Sequence, residues 1–251
     1  MKIEAVTVCV GYGDFLAATL PHNLHIFDRL VVVTDFEDKE TQNICQRYGV
    51  DCKPTDVMRV HGDAFNKGLG IDFGLGYLNR DAWVVHLDSD IVLPRTTRHR
   101  IEEALLDEDC IYGIDRMNCV GWDAWKRFES DHGNHHQWHQ HCILVPPAFP
   151  LGARIVLRNH GGYVPIGFFQ MFHGKHGRRY PMAQGDAEHT DVLHSLQWPT
   201  KNRRLLPSVL AVHLESEPCK MGANWRGRKT QRFGPGAVTS GVNVPCRPYS
   251  N

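Results

Sequence analysis

The chain has 251 residues, 42% of them hydrophobic and 22% charged, the balance of a folded globular protein long enough for one large α/β domain. It contains no apolar run of the roughly 18 residues that a membrane-spanning helix needs, which argues against a helical span. The formal net charge is zero. Residues 1–150, however, carry 14 Lys and Arg against 23 Asp and Glu, and residues 151–251 carry 14 against 5. This asymmetry suits either an acidic partner for the later part or attraction between the two parts.

In chain order, the apolar run Glu4–Val10 predicts a first buried strand. Residues 14–26 predict a helix, and Arg29–Asp35 (RLVVVTD) a second strand. Residues 37–48 predict an amphipathic helix stopped by Gly49, followed by a short strand at 50–54. Ala64–Leu78 keeps apolar residues at helical spacing despite its glycines. Ala82–Leu87 reads as a strand, 95–107 as a helix and 109–114 as a strand. This alternation implies a mostly parallel sheet with helices on both faces, whose ligands bind at the carboxyl ends of the strands. After residue 116 Trp, His and Gly become frequent and periodicity fades. It returns in Asp186–Trp198, a predicted helix stopped by Pro199, and in the strand-like Arg203–Leu214, interrupted at Pro207. From Glu215 onward the chain is rich in Gly, Pro and Arg.

The opening MKIEAVTVCV enters a strand pattern and lacks the features of a secretory signal. The eight cysteines are scattered without a C-x-x-C pair. Together these predict reduced thiols in a cytoplasmic protein.

VVHLDSDIVLP (Val84–Pro94) carries the main chemical signal. Two carboxylates, Asp88 and Asp90, stand where a buried strand leaves its sheet. In extended backbone, residues i and i+2 point the same way. Two like charges held close repel unless a cation lies between them. Mg²⁺ or Mn²⁺ fits, bridging to phosphate oxygens. The plainer alternative is a surface turn.

The order of an N-terminal strand, VVVTD, NKGLGIDFGL and HLDSDIVLP, over roughly residues 4–115, resembles nucleotide-sugar glycosyltransferases of the GT-A fold. The resemblance implies an α/β, Rossmann-like GT-A sheet flanked by helices. Residues 1–115 would form the nucleotide-sugar-binding half of a single domain. Residues 116–251 would form a smaller acceptor-side lobe with a basic tail. It implies Asp88 and Asp90 as the metal and diphosphate site, Asp35 at the nucleoside, and Asn66, Lys67 and Asp72 beside base and ribose. The implied donor is a UDP-sugar. Tyr163–Gly174, Ala187–Pro199 and Val212–Gly234 resemble phage and bacterial GT-A enzymes, some of which glycosylate hydroxymethylated pyrimidines in phage DNA. That implies a DNA acceptor, His213 as a further metal ligand, and Asp191 (or its neighbour Glu188) as the base that takes the acceptor proton. His213 could instead cap a core strand. Asp191 and Glu188 could simply favour a helix N-terminus.

Arg226, Arg228, Lys229 and Arg232 interleave with Trp225 and Phe233, a composition that suits a diphosphate or a nucleic-acid backbone. Asp131–Cys142 holds five histidines. His135 and His139 could share a helix face as zinc ligands, completed by Cys142 and Cys119, or the segment could be a polar acceptor-side loop. The Tyr- and Phe-rich segment between Gly161–Gly162 and Gly167 could approach a sugar or base closely, or form a turn with core aromatics. Other functions that fit are transfer to a polysaccharide, glycan or protein, nucleotidyl transfer, and non-catalytic nucleic-acid binding. Donor sugar, stereochemistry and oligomeric state are not encoded in any motif.

Overall fold

Strand β1 (Ile3–Val8) is buried at every position because helices cover both of its faces. Ile3 and Ala5 join one apolar cluster, and Val6 and Val8 join another on the opposite face, as the two-residue period of a strand requires. The computed structural model describes residues 1–62, 65–132, 156–157, 162–181, 190–216, 228 and 230–236. In it β1 leads through α1 (Gly13–Asn23) to β2 (Arg29–Thr34), and through α2 (Lys39–Tyr48) to β3 (Asp51–Pro54). α3 (Lys67–Leu75) then returns to β4 (Trp83–Leu87), and the four strands pair in parallel in the order β3-β2-β1-β4.

The rest of the sheet is mixed. β5 (Ile91–Val92) follows the Asp88–Asp90 turn, and α4 (Thr97–Glu103) leads to the long β6 (Ile111–Val120) and α5 (Trp122–His132). β7 (Val156–Leu157) and β8 (Gly162–Tyr163) form a separate two-stranded sheet. β9 (Phe169–His173) inserts antiparallel between β4 and β6. After α6 (Thr190–Ser195), β10 (Arg203–Glu215) pairs in parallel with β6 and antiparallel with β5. The full order is β3-β2-β1-β4-β9-β6-β10-β5. The expectation of a mostly parallel sheet therefore holds for the first half, and β9 and β5 make the second half mixed.

Element ends follow local chemistry. Asp38 caps α2 by accepting from Thr41 N at 3.0 Å, and Gly49 ends it in the left-handed conformation at φ 66°. α3 is shorter than its apolar spacing predicts, because Asn66 caps it and the chain turns at Gly76. α4 is likewise shorter than predicted. β6 runs six residues past its predicted end because β10 supplies a partner along its length. A register shift between Leu205 and Leu210 accommodates Pro207 in β10. The predicted helix at 186–198 is observed only as α6, which ends at Ser195, three residues early, and its first four predicted positions lie outside the described residues. Among the described residues no helix is long and apolar enough to cross a membrane, and Cys9, Cys45, Cys52, Cys110 and Cys119 are free thiols.

A candidate active site at the carboxyl end of the parallel strands

Asp88, Ser89 and Asp90 form a turn between β4 and β5. Three elements pin it. Asp88 N donates to Phe168 O at 3.2 Å, Thr19 Oγ1 donates to Ser89 O at 2.8 Å, and Leu214 N donates to Asp90 O at 2.8 Å. Extended geometry stops at Asp88, so the two carboxylates do not simply face one point, as the strand argument expected. Each meets its own partner. Asp88 Oδ1 lies 2.5 Å from Lys67 Nζ and 3.4 Å from His86 Nε2. Asp90 Oδ2 lies 3.3 Å from His213 Nε2.

The electrostatics follow from these contacts. Burial opposes the Lys67 charge, but Asp88 first, then Asp191 and Asp90, outweigh it and raise the ammonium pKa. Burial likewise disfavours the Asp88 carboxylate, yet Lys67 and His86 hold its pKa well below the usual range. His213 is buried, which opposes its charge, but Asp90 and Glu215 lift its pKa to about 9. Its Nδ1 lies 3.2 Å from Glu215 Oε1, within ion-pair distance but without the alignment of a hydrogen bond. Asn118 Nδ2 donates to Glu215 Oε1 at 3.0 Å.

The residues present fit a hard divalent cation. Asp90 Oδ1 is buried without a hydrogen-bond partner, a cost that a ligand would remove. Beside it stand a second carboxylate oxygen and His213 Nε2, whose proton the ion would have to displace, donors that Mn²⁺ and Mg²⁺ accept. Among the described residues no three His, Cys, Asp or Glu side chains converge on one point. Two protein donors would therefore have to share the ion with oxygens of a bound phosphate, the usual arrangement for Mg²⁺ in phosphate-handling sites.

Other sequence-predicted residues fall in varied places. Asp191 lies in the first turn of α6 and accepts from Gly167 N at 2.5 Å and from its own neighbour Val192 N at 2.8 Å. A Cβ at Gly167 would lie 2.9 Å from Asp191 Oδ2, so only glycine permits this approach. Asp72 accepts from Tyr180 N at 2.7 Å, and burial pushes its pKa up to about 6. Asp35, at the end of β2, is gripped by Arg59 through Nε at 2.9 Å and a terminal nitrogen at 2.5 Å. Asn66 turns its carboxamide oxygen back onto Leu69 N at 3.2 Å, which makes it a buried helix cap rather than an open ligand group. Arg228 is engaged bidentately by Asp14 at 2.6 and 2.7 Å and donates to Gly11 O, so its guanidinium is committed within the chain and not held out towards a diphosphate. Glu188, Arg226, Lys229, His135, His139 and Cys142 lie outside the described residues. Cys119 is buried on β6.

The structure adds groups that sequence reasoning missed. His86 stands two residues before Asp88 on the same strand face, a spacing that was readable. Glu215 stands two residues after His213 in the same way. Gln170 was not readable. It accepts from Tyr180 Oη at 2.7 Å and donates to Asp191 O and Ser195 Oγ, tying β9 to α6.

No protein-family model and no curated protein matches the chain. Solved structures do. Glucosyl-3-phosphoglycerate synthase from Mycobacterium tuberculosis, in complex with Mn²⁺, UDP-glucose and phosphoglyceric acid, matches with a TM-score of 0.51 and 13% identity, over 84% of this chain and 71% of that one. The same protein in complex with Mn²⁺ and UDP-glucose matches at 0.50 and 13%, over 88% and 74%. Mannosyl-3-phosphoglycerate synthase from Rubrobacter xylanophilus gives a shorter match, with a TM-score of 0.38 and 16% identity, over 47% of this chain and 41% of that one. At such identities the likeness establishes the fold, which is GT-A.

Proposed function

We propose that this chain is a divalent-metal-dependent glycosyltransferase that moves a sugar from a nucleoside-diphosphate sugar, with UDP as the nucleotide, to an acceptor hydroxyl. The observation that carries the reading is the Asp90–His213 pair with its unpartnered carboxylate oxygen, at the carboxyl end of the parallel strands of a GT-A sheet. The solved neighbours in complex with Mn²⁺ and UDP-glucose support the choice of ion and donor. When bound, the ion would supply Lewis-acid stabilisation of the departing diphosphate.

The chain's own groups do the rest. Asp90 and His213 would hold the ion. Lys67, held in an ion pair with Asp88, would face the donor together with Asp72, and Asp35 would stand on the nucleoside side. The acceptor oxygen forms a bond to the anomeric carbon as the bond from that carbon to the phosphate oxygen breaks, and the electron pair leaves with the diphosphate. Asp191, clamped by Gly167 N, would take the acceptor proton if configuration inverts.

For the acceptor, the finer proposal is hydroxymethylcytosine or a related hydroxymethylpyrimidine in phage DNA. It is supported by the resemblance in the later part of the chain and by the positive balance of residues 151–251. Arg228 and Arg232 pair with Asp14 and Glu40, so any phosphate contact from the tail would fall to its other basic residues. The test is incubation with a panel of UDP-sugars, with Mn²⁺ or with EDTA, read by mass spectrometry. The acceptors are hydroxymethylated duplex, unmodified duplex, an oligosaccharide and phosphoglyceric acid. Mn²⁺-dependent mass gain on hydroxymethylated DNA alone is the expected result. Gain on another acceptor retains the enzyme and overturns the DNA reading. DNA binding without sugar release from any donor favours a non-catalytic binding protein.

A further inference from the structure

We propose that Glu215 positions His213 for metal binding, by holding the proton on Nδ1 so that Nε2 presents its lone pair towards Asp90. The inference rests on the metal-dependent reading above.

His213 and Glu215 lie two apart on β10 and so share one face of the strand. The imidazole stands between two carboxylates, with Nε2 3.3 Å from Asp90 Oδ2 and Nδ1 3.2 Å from Glu215 Oε1. A histidine ligates through one nitrogen and carries its proton on the other, and the partner of that second nitrogen decides which is which. Asp90 has an unpartnered oxygen on the Nε2 side. Glu215 is therefore the group left to hold Nδ1–H.

Glu215 is built in from several directions. It is 4% exposed, Asn118 Nδ2 donates to its Oε1 at 3.0 Å, and its carbonyl accepts from Gly121 N at 2.7 Å. Asn118 is itself 5% exposed and pairs in register with His213 across β6 and β10. A carboxylate this buried is costly unless it answers a positive or N–H group, and Oε2 has no partner at all. When the ion is bound, the ring turns onto Glu215 and brings Nδ1–H, now 3.2 Å from Oε1 but out of line, into hydrogen-bond alignment.

The test uses the full chain with UDP present and reads free Mn²⁺ by electron paramagnetic resonance. Glu215→Gln and Glu215→Ala should weaken Mn²⁺ binding by about 10- to 100-fold, with Glu215→Asp recovering part of the loss. A folded Glu215→Gln that binds Mn²⁺ within twofold of wild type overturns the inference and leaves the metal-dependent reading intact. Should wild type bind no Mn²⁺ with UDP, both fall. If the variants do not fold, the wild type decides through the ring ¹⁵N signals of His213 with Mg²⁺ and UDP, identified by their loss in His213→Gln. Protonated Nδ1 with ligated Nε2 is expected, and the reverse tautomer, or an unprotonated Nδ1, overturns the proposal.

Discussion

At the scale of single residues, Asp90 and His194 make different demands. Asp90→Ala removes the carboxylate proposed to hold the ion while leaving the turn's backbone bonds to Leu214 and Thr19 in place. Loss of such charge stabilisation is worth several kcal/mol, so donor turnover should fall by about 10²–10³-fold at the usual 1.36 kcal/mol per tenfold. The variant also leaves the buried His213 without its nearest carboxylate, so the melting temperature should fall too, and turnover is compared on folded protein. Near-normal turnover in this variant, or in EDTA, would sink the metal site. His194 is fully buried and stacked on Tyr180 at 3.7 Å, between Phe172 and Trp198. Burial, then the nearby His86 and Arg178, push its pKa well below 6.5. The folded protein keeps this ring neutral, whereas the unfolded chain protonates it below that pH. Its contribution therefore costs stability as pH falls below about 6.5, by at most ~1.4 kcal/mol per pH unit, and is flat above. His194→Phe should gain on wild type in melting temperature between pH 7 and pH 5. A constant difference across that range would contradict the assignment. Asp88 and Asp90 stood out in the sequence because they sit between two apolar runs, and His213 because it follows one, while their roles at an ion came from the family resemblance. The burial of His194 against Tyr180 was not, since nothing in a helix pattern names the neighbour across the interface.

At the scale of elements, α3 shows why a run of glycines can still be a helix. Gly costs about 1 kcal/mol per residue relative to Ala in a helix interior, yet this nine-residue helix contains Gly68, Gly70 and Gly74. The reason is close approach to the sheet. A Cβ at Gly74 would run into Val6 and lie 2.8 Å from Val33 Cγ2, and one at Gly70 would lie 2.9 Å from Met58 Sδ. Gly74→Ala should therefore destabilise by about 1–3 kcal/mol despite its better helix propensity, as measured by urea unfolding. It should also raise the KM for donor, because α3 carries Lys67. A more stable Gly74→Ala would refute the packing argument. The end of α2 could be read from Gly49, which acts locally, whereas the helix begins at Lys39, after the Asp38 cap, two residues later than expected. The limits of α3 and β6 could not be read in this way. The apolar spacing of α3 continues to Leu78 after the helix has ended, and the length of β6 depends on β10.

At the scale of the whole molecule, the opposed charges of the two parts meet at α1 and α2. Arg228 pairs with Asp14, whose side chain is 6% exposed, and Phe233 stacks on Phe15 at 4.7 Å. Arg232 pairs with Glu40 in a more open setting. Arg228→Ala leaves a buried carboxylate without its partner and should cost about 3 kcal/mol, most of which should persist in high salt. Arg232→Ala should cost under about 1 kcal/mol, and that cost should vanish in high salt. Equal effects of the two would contradict the burial difference. The sequence alone settled what depends on neighbours along the chain: the buried strands, the stop of α2 at Gly49, and paired carboxylates where a strand ends. The tertiary structure decided which distant groups meet: Lys67 with Asp88, His213 with Asp90, and Arg228 with Asp14. Local periodicity reports only which way a side chain points. Its partner is set by strand order, and here β9 enters antiparallel beside β4 while β10 returns to lie between β6 and β5.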